Sequence, residues 1–158
     1  MNQQTLDNSE RFCVFSCDEN WYGVPALAVR SIVPCPELTD VPFSDPILQG
    51  ISQIQNEFLP VVSLRALTQI QYEATDQSDQ QVIVLNGNGG PWGLLIDRAE
   101  SLATLETSIS NFSNNQDRWA KATLGSASYQ DHVLQILDPN AVFDYAASLI
   151  DGFWANSE

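Results

Sequence analysis

Short runs of β-forming residues, each stopped by a polar or glycine turn, follow one another along this chain, and only one stretch, near its end, reads as a real helix. "RFCVFSC" (11–17) has apolar side chains on both faces, which suits a strand covered on both sides. Asp18-Glu19-Asn20 is a turn, and "WYGVP" (21–25) returns as the second arm of a hairpin. "ALAVRSIV" (26–33) reads as one helical turn running into a strand. The four prolines of "PCPELTDVPFSDP" (34–46) make a connector. Ile47, Leu48, Ile51 and Ile54 fit a helical period that Gly50 interrupts, giving a short helical turn at 46–49 and a strand from about Gly50. "FLPVVSL" (58–64) is a strand, and Pro60, which cannot donate to a ladder, marks an edge or a bulge.

The polar stretch 66–80 is the best internal linker. "VIVLN" (82–86), the turn "GNGG" (87–90) and "PWGLLIDRAE" (91–100) form a hairpin, and "SLATLETSI" (101–109) continues extended. "NFSNNQDR" (111–118) is a loop, and "WAKATLGSASY" (119–129) with "HVLQIL" (132–137) a last hairpin around Gln130-Asp131. Asp138 is an N-cap with Pro139 at the first helical position, so a helix is expected over 139–150, its apolar stripe Val142, Phe143, Ala146 and Ile150. Residues 1–10 and 151–158 read as polar tails. About ten strands and one terminal helix, with no βαβ alternation, exclude a nucleotide-binding parallel sheet and leave small barrels or a sandwich.

Charge removes further classes. Lys and Arg number 6 against 20 Asp and Glu, a net charge of −14 in 158 residues. Such a surface repels phosphate backbones and anionic lipid, so no nucleic-acid partner and no membrane insertion are expected. No apolar run reaches the ~18 residues of a membrane span. With no secretory leader and an odd cysteine count, the chain reads as cytoplasmic with reduced thiols.

The search for chemistry yields little. "NGNGGPWG" (86–93) follows a strand but precedes another strand, so it is a turn and not a phosphate loop. Cys13 and Cys17 lie four apart, ~13 Å along a strand, too far to share a zinc ion; they read as small core fillers. Cys35 has no basic neighbour to activate it. His132, the only histidine, reads as a solvated turn residue. Asp97-Arg98 and Asp117-Arg118 read as surface charges or ordinary pairs. Trp21, Trp92, Trp119 and Trp154 read as core and interface fillers, with a ligand cleft as the other possibility. No catalytic constellation, cofactor or metal site emerges, which points to a binding or scaffolding module.

Four segments in order carry a family resemblance: "FCVFSCDENWYGVPALAVRSIV", "PILQGISQIQNEFLPVVSLR", "VIVLNGNGGPWGLLIDRAES" and "HVLQILDPNAVF". Tyr22-Gly23-Val24, Gly50 and Leu59-Pro60-Val61-Val62 with Leu64-Arg65 are its anchors. Over residues 11–147 the chain resembles the CheW-like family, the coupling proteins of bacterial chemotaxis. The resemblance implies an all-β fold of two five-stranded SH3-like barrels with a C-terminal helix. On that plan residues 11–66 make the first barrel and 80–138 the second, separated by the linker. It implies no active site. The protein would be a scaffold, monomeric when isolated, that joins a chemotaxis-type histidine kinase regulatory domain to a chemoreceptor tip.

The resemblance also implies a partner-binding groove at Val29, Ile32, Gly50, Ile54, Gln55, Asn56 and Leu59. The family turn usually reads Asn-Leu-Arg-Gly; here it reads Gln53-Ile54-Gln55-Asn56. Gln55 lacks the charge and forked donor of arginine, Asn56 still tolerates left-handed backbone, and Ser63 stands where an acidic residue often precedes Leu-Arg. Either polar contacts have drifted on a retained frame, or the module serves another pathway, such as surface motility. A small-ligand sensor using the inter-barrel groove and its tryptophans is the reading from a different class.

Overall fold

The computed structural model describes residues 9–39, 47–68, 79–108 and 118–156. Ten strands are found there: β1 (Ser9–Cys17), β2 (Asn20–Pro25), β3 (Val29–Pro34), β4 (Leu48–Ile54), β5 (Glu57–Ser63), β6 (Gln81–Gly87), β7 (Gly90–Ile96), β8 (Arg98–Glu106), β9 (Thr123–Tyr129) and β10 (His132–Leu137). Helix α1 (Leu64–Thr68) follows β5, and α2 (Pro139–Asn156) follows β10. Single 3₁₀ turns cover Ala26–Ala28 and Arg118–Ala122.

The strands form two sheets of five, ordered β8-β1-β2-β10-β9 and β3-β6-β7-β5-β4, which are two SH3-like barrels. The middle of the chain builds one barrel, and strands from both ends build the other. The expected division of strands at 66–80 therefore does not hold: β1 and β2 pair with β10 and β8, not with β3 to β5. The physical reason lies at two crossings. After β2 the turn at Ala26–Ala28 carries the chain into the middle sheet, and after β7 Asp97 carries it back. Residues 69–78, most of the expected linker, lie outside the described residues.

The two barrels repeat each other position by position. Each has one parallel pair, β2 with β10 and β5 with β7, in an otherwise antiparallel ladder. Arg30 is an extra residue bulged out of β3, and Glu100 is its counterpart in β8, an offset of 70. Gln49 and Leu124 are the matching bulges of β4 and β9, an offset of 75. Three cores result. Phe12, Val14, Leu134 and Ile136 fill the end barrel, and Leu59, Val61, Val82, Val84 and Leu95 the middle one. The third and largest lies between them, where Phe15, Cys17 and Tyr22 meet Ile83, Leu85, Trp92 and Leu94. β1 is thus covered on both faces, as its double-sided apolar pattern implied.

Local chemistry explains the elements. Asp138 caps α2: its carboxylate accepts from the Asn140 amide at 3.1 Å and its carbonyl from the Val142 amide at 2.9 Å. Val142 and Ala146 are buried and Phe143 tilts against Trp92. The helix runs to Asn156, beyond the expected 150, so 151–156 is not a tail, and the side chain of Ile150 lies outside the description. Ser63 caps α1 through its hydroxyl, which accepts from the Ala66 amide at 3.1 Å. No helical turn forms at 48–49; β4 begins at Leu48, because a bulge at Gln49 displaces the strand period into a helix-like spacing. β5 is an inner strand and not an edge. Ile51 directs both backbone groups at Thr39, so opposite it Pro60 has its ring nitrogen on the far side, short of the point where β7 begins to pair at Val61.

Candidate functional site

The arm formed by β4 and β5 carries most of the residues singled out from sequence. Gln55 and Asn56 sit exposed at its tip with φ of 53° and 68°, the two left-handed positions of a type I′ hairpin turn. The frame beneath is closed. Ile54 is 6% and Leu59 2% exposed, both in the middle-barrel core. A partner cannot touch them without opening the barrel, so they support the arm and do not line a groove. Gly50 is also buried, with φ of 151°, and a Cβ there would lie 2.7 Å from the Thr39 carbonyl oxygen. It is glycine because Thr39 and Ile51 bridge at this point through amide–carbonyl bonds of 2.9 and 3.0 Å. Val29 is half-buried, and Ile32 is exposed on β3.

Sequence reading missed what the arm does present. Phe58 is 74% exposed, and Ile51 reaches the surface beside it. The two line a hollow of about 460 Å³ with Pro36 and Thr39. The signal was available: with Leu59 and Val61 inward, strand alternation points Phe58 outward. A cation also stands at the arm, though not at position 55. The Arg30 guanidinium donates to both carboxylate oxygens of Glu57, each at 3.0 Å. These hydrogen bonds hold the Glu57 carboxyl below the usual carboxylate range. Arg30 is the residue bulged out of β3.

The end barrel offers the equivalent arm. Its turn, Gln130-Asp131, has the same left-handed pair, φ of 47° and 68°, and corresponds to Gln55-Asn56 at the offset of 75. Seven large apolar side chains are exposed among the described residues, and four fall into equivalent pairs: Ile32 with Leu102, and Phe58 with Val133. At the Glu57 position the end barrel has His132, which is half-buried and stacked on Trp21, ring centroids 3.8 Å apart. It is not the solvated turn residue expected; its ring is taken up by the indole face.

The remaining candidates are structural. Cys13 and Cys17 are buried on one face of β1, and burial pushes their thiols up to about 11 and about 12. Asp97 is more than a surface charge. It accepts from Arg65 at 2.8 Å, from the Asp18 amide at 2.7 Å and from Gln80 at 3.2 Å, pinning the β7-to-β8 crossing to α1 and the first hairpin turn. Trp92 is buried, while Trp21 and Trp119 are half-buried. Among the described residues no three His, Cys, Asp or Glu side chains gather as a metal site. No described helix is long and apolar enough to cross a membrane.

A family model, CheW-like domain, matches residues 11–147. The chain belongs to the CheW-like family. Its relatives include the chemotaxis protein CheW of Bacillus subtilis (strain 168), 25% identical over 146 residues, which cover 90% of this chain and 92% of the relative. The chemotaxis protein CheW of Thermotoga maritima is 20% identical over 130 residues, 82% of this chain and 85% of the relative. Among solved structures, the scaffolding protein TtCheW from Thermoanaerobacter tengcongensis superposes with a TM-score of 0.70 at 20% identity, covering 85% of this chain and 87% of that one. At that identity the likeness is one of fold, and the CheW-like arm here is built with Gln55, Arg30 and Glu57 as described.

Proposed function

We propose that this CheW-like protein is a non-enzymatic, cytoplasmic adaptor of a chemotaxis-type signalling complex, joining a histidine kinase regulatory domain to a chemoreceptor tip. The observation that carries the reading is the matched exposure of Ile32 with Phe58 on one barrel and Leu102 with Val133 on the other. A protein whose task is to hold two partners needs two docking faces, and a central exposed aromatic is the typical anchor of such a face. The family's chemotaxis relatives support the choice of partners. The mechanism is positional: the shared core fixes the spacing of the faces, so a shift in one partner biases the other.

Calorimetric titration at physiological salt with the regulatory domains of the organism's chemotaxis-type kinases tests this. Binding at micromolar Kd or tighter is expected for one of them. Phe58→Glu and Val133→Glu are each expected to weaken one partner about 30-fold or more, as loss of an anchor worth ~2 kcal/mol would, while sparing the other. Gln55→Arg is expected to change affinity by about 1–3 kcal/mol, the range of one charge-assisted contact. No binding to any kinase, or indifference to both glutamates, would move the function to another pathway.

A further inference from the structure

Between the two barrels lies a cavity of about 830 Å³, within the range of small-molecule sites. Its walls join elements that no single barrel owns. Trp21 comes from β2, Gln135 from β10, Thr68 from α1, Trp119 from the turn before β9, and Tyr145 from α2. Among the described residues the lining includes no Asp, Glu, Lys, Arg or His, in a chain that carries 20 acidic residues and a net charge of −14. An ionised ligand would gain no opposite charge from these residues to offset the water it gives up. What the walls do offer is ring faces and neutral hydrogen-bonding groups. Trp119 and Tyr145 tilt together with centroids 5.8 Å apart. Trp21 is held flat by the His132 stacked upon it, so its position is set before anything binds. Asn20, Thr68, Ser126 and Gln135 line it with amides and hydroxyls, those of Asn20, Thr68 and Gln135 also bonded within the protein.

We infer that this cavity is a binding site for an uncharged, planar aromatic or heteroaromatic small molecule. Aromatic rings pack against tilted or offset neighbours, and neutral edge groups fit the amides and hydroxyls around them. Val133 belongs both to the rim of this cavity and to the outward pair of the end barrel, so an occupant would lie beside anything docked on that face.

Indole is the probe, titrated into ¹⁵N-labelled full-length protein and followed by the tryptophan side-chain N–H resonances. Saturable shifts are expected at Trp21 and Trp119 and not at Trp92, which is buried elsewhere. Indole-3-carboxylate, the same ring with an anionic group, is expected to bind at least tenfold more weakly. Ala66→Leu, which extends a small lining residue into the space, and Tyr145→Leu, which removes a ring face, are each expected to weaken indole at least tenfold. Circular dichroism and thermal unfolding identify any variant that fails to fold. If one does, the other variant and the anion comparison decide. The inference is overturned by non-saturable shifts, by equal movement of Trp92, by undiminished binding in a folded variant, or by equal affinity for the carboxylate.

Discussion

Gly50 shows how a residue associated with a binding groove can be demanded by packing alone. Its Cβ would meet the Thr39 carbonyl oxygen at 2.7 Å, on backbone that side chains rarely adopt, whereas a Cβ at Gly89 would meet nothing within 4 Å. Gly50→Ala is therefore expected to cost about 2–4 kcal/mol in urea unfolding and Gly89→Ala close to nothing. Equal effects would remove the steric account. Several side-chain roles were legible beforehand: the exposed turn at Gln55-Asn56 and the buried Cys13 and Cys17 follow from turn chemistry and from apolar runs. The pairing of Arg30 with Glu57 was not, because 27 residues separate them and only the folded barrel brings them together. The same applies to Asp97, whose partners Arg65 and Asp18 come from distant segments.

At the level of elements, strands announced themselves and short helices did not. A strand needs only a local run of β-formers: the hairpin at 11–25 came out in place, while the one expected over 82–100 ends at Ile96, because Asp97 starts the crossing into β8 of the other sheet. Helix α1 spans only five residues, too few for any periodicity to show, and its cap Ser63 read as part of the strand 58–64. Ser63 and Asp138 occupy equivalent places, each ending a strand and starting a helix. Ser63→Ala and Asp138→Ala are each expected to cost about 1 kcal/mol of stability. Asp138→Ala is also expected to raise amide exchange in the first turn of α2. Unchanged exchange there would mean that the tie from Asn140 to the Asn88 amide holds the helix end by itself.

For the whole molecule, the pairing order was the part sequence could not show, since β1 meets β8 across more than eighty residues and no local pattern encodes that. The polar stretch at 66–80 suggested a boundary that the sheets ignore. Two consequences follow. A chain broken within 69–78 leaves both barrels incomplete, so fragments 1–68 and 79–158 are expected to be unfolded apart and to regain β-type circular dichroism when mixed; either folding alone would contradict the shared core. The core also sets an alkaline limit. In the unfolded chain a thiol ionises near pH 8.5, but burial keeps Cys13 and Cys17 protonated to about 11 and about 12, and Tyr22 to about 12. Above pH ~9 the unfolded state gives up protons that the folded state retains, so stability is expected to fall as pH rises from 9 to 11. A flat urea midpoint across that window would show that the thiols are more accessible than their burial indicates.

The position-by-position repeat has a further meaning. With strands exchanged at Ala26–Ala28 and Asp97, the molecule has the geometry of a homodimer fused into one chain. In a true dimer a mutation alters both faces at once. Here the two copies can differ, and they do: one arm carries Phe58 beside the Arg30–Glu57 pair, the other Val133 beside a histidine stacked on Trp21. A fused twin can keep one surface for an old associate while the other acquires a new one.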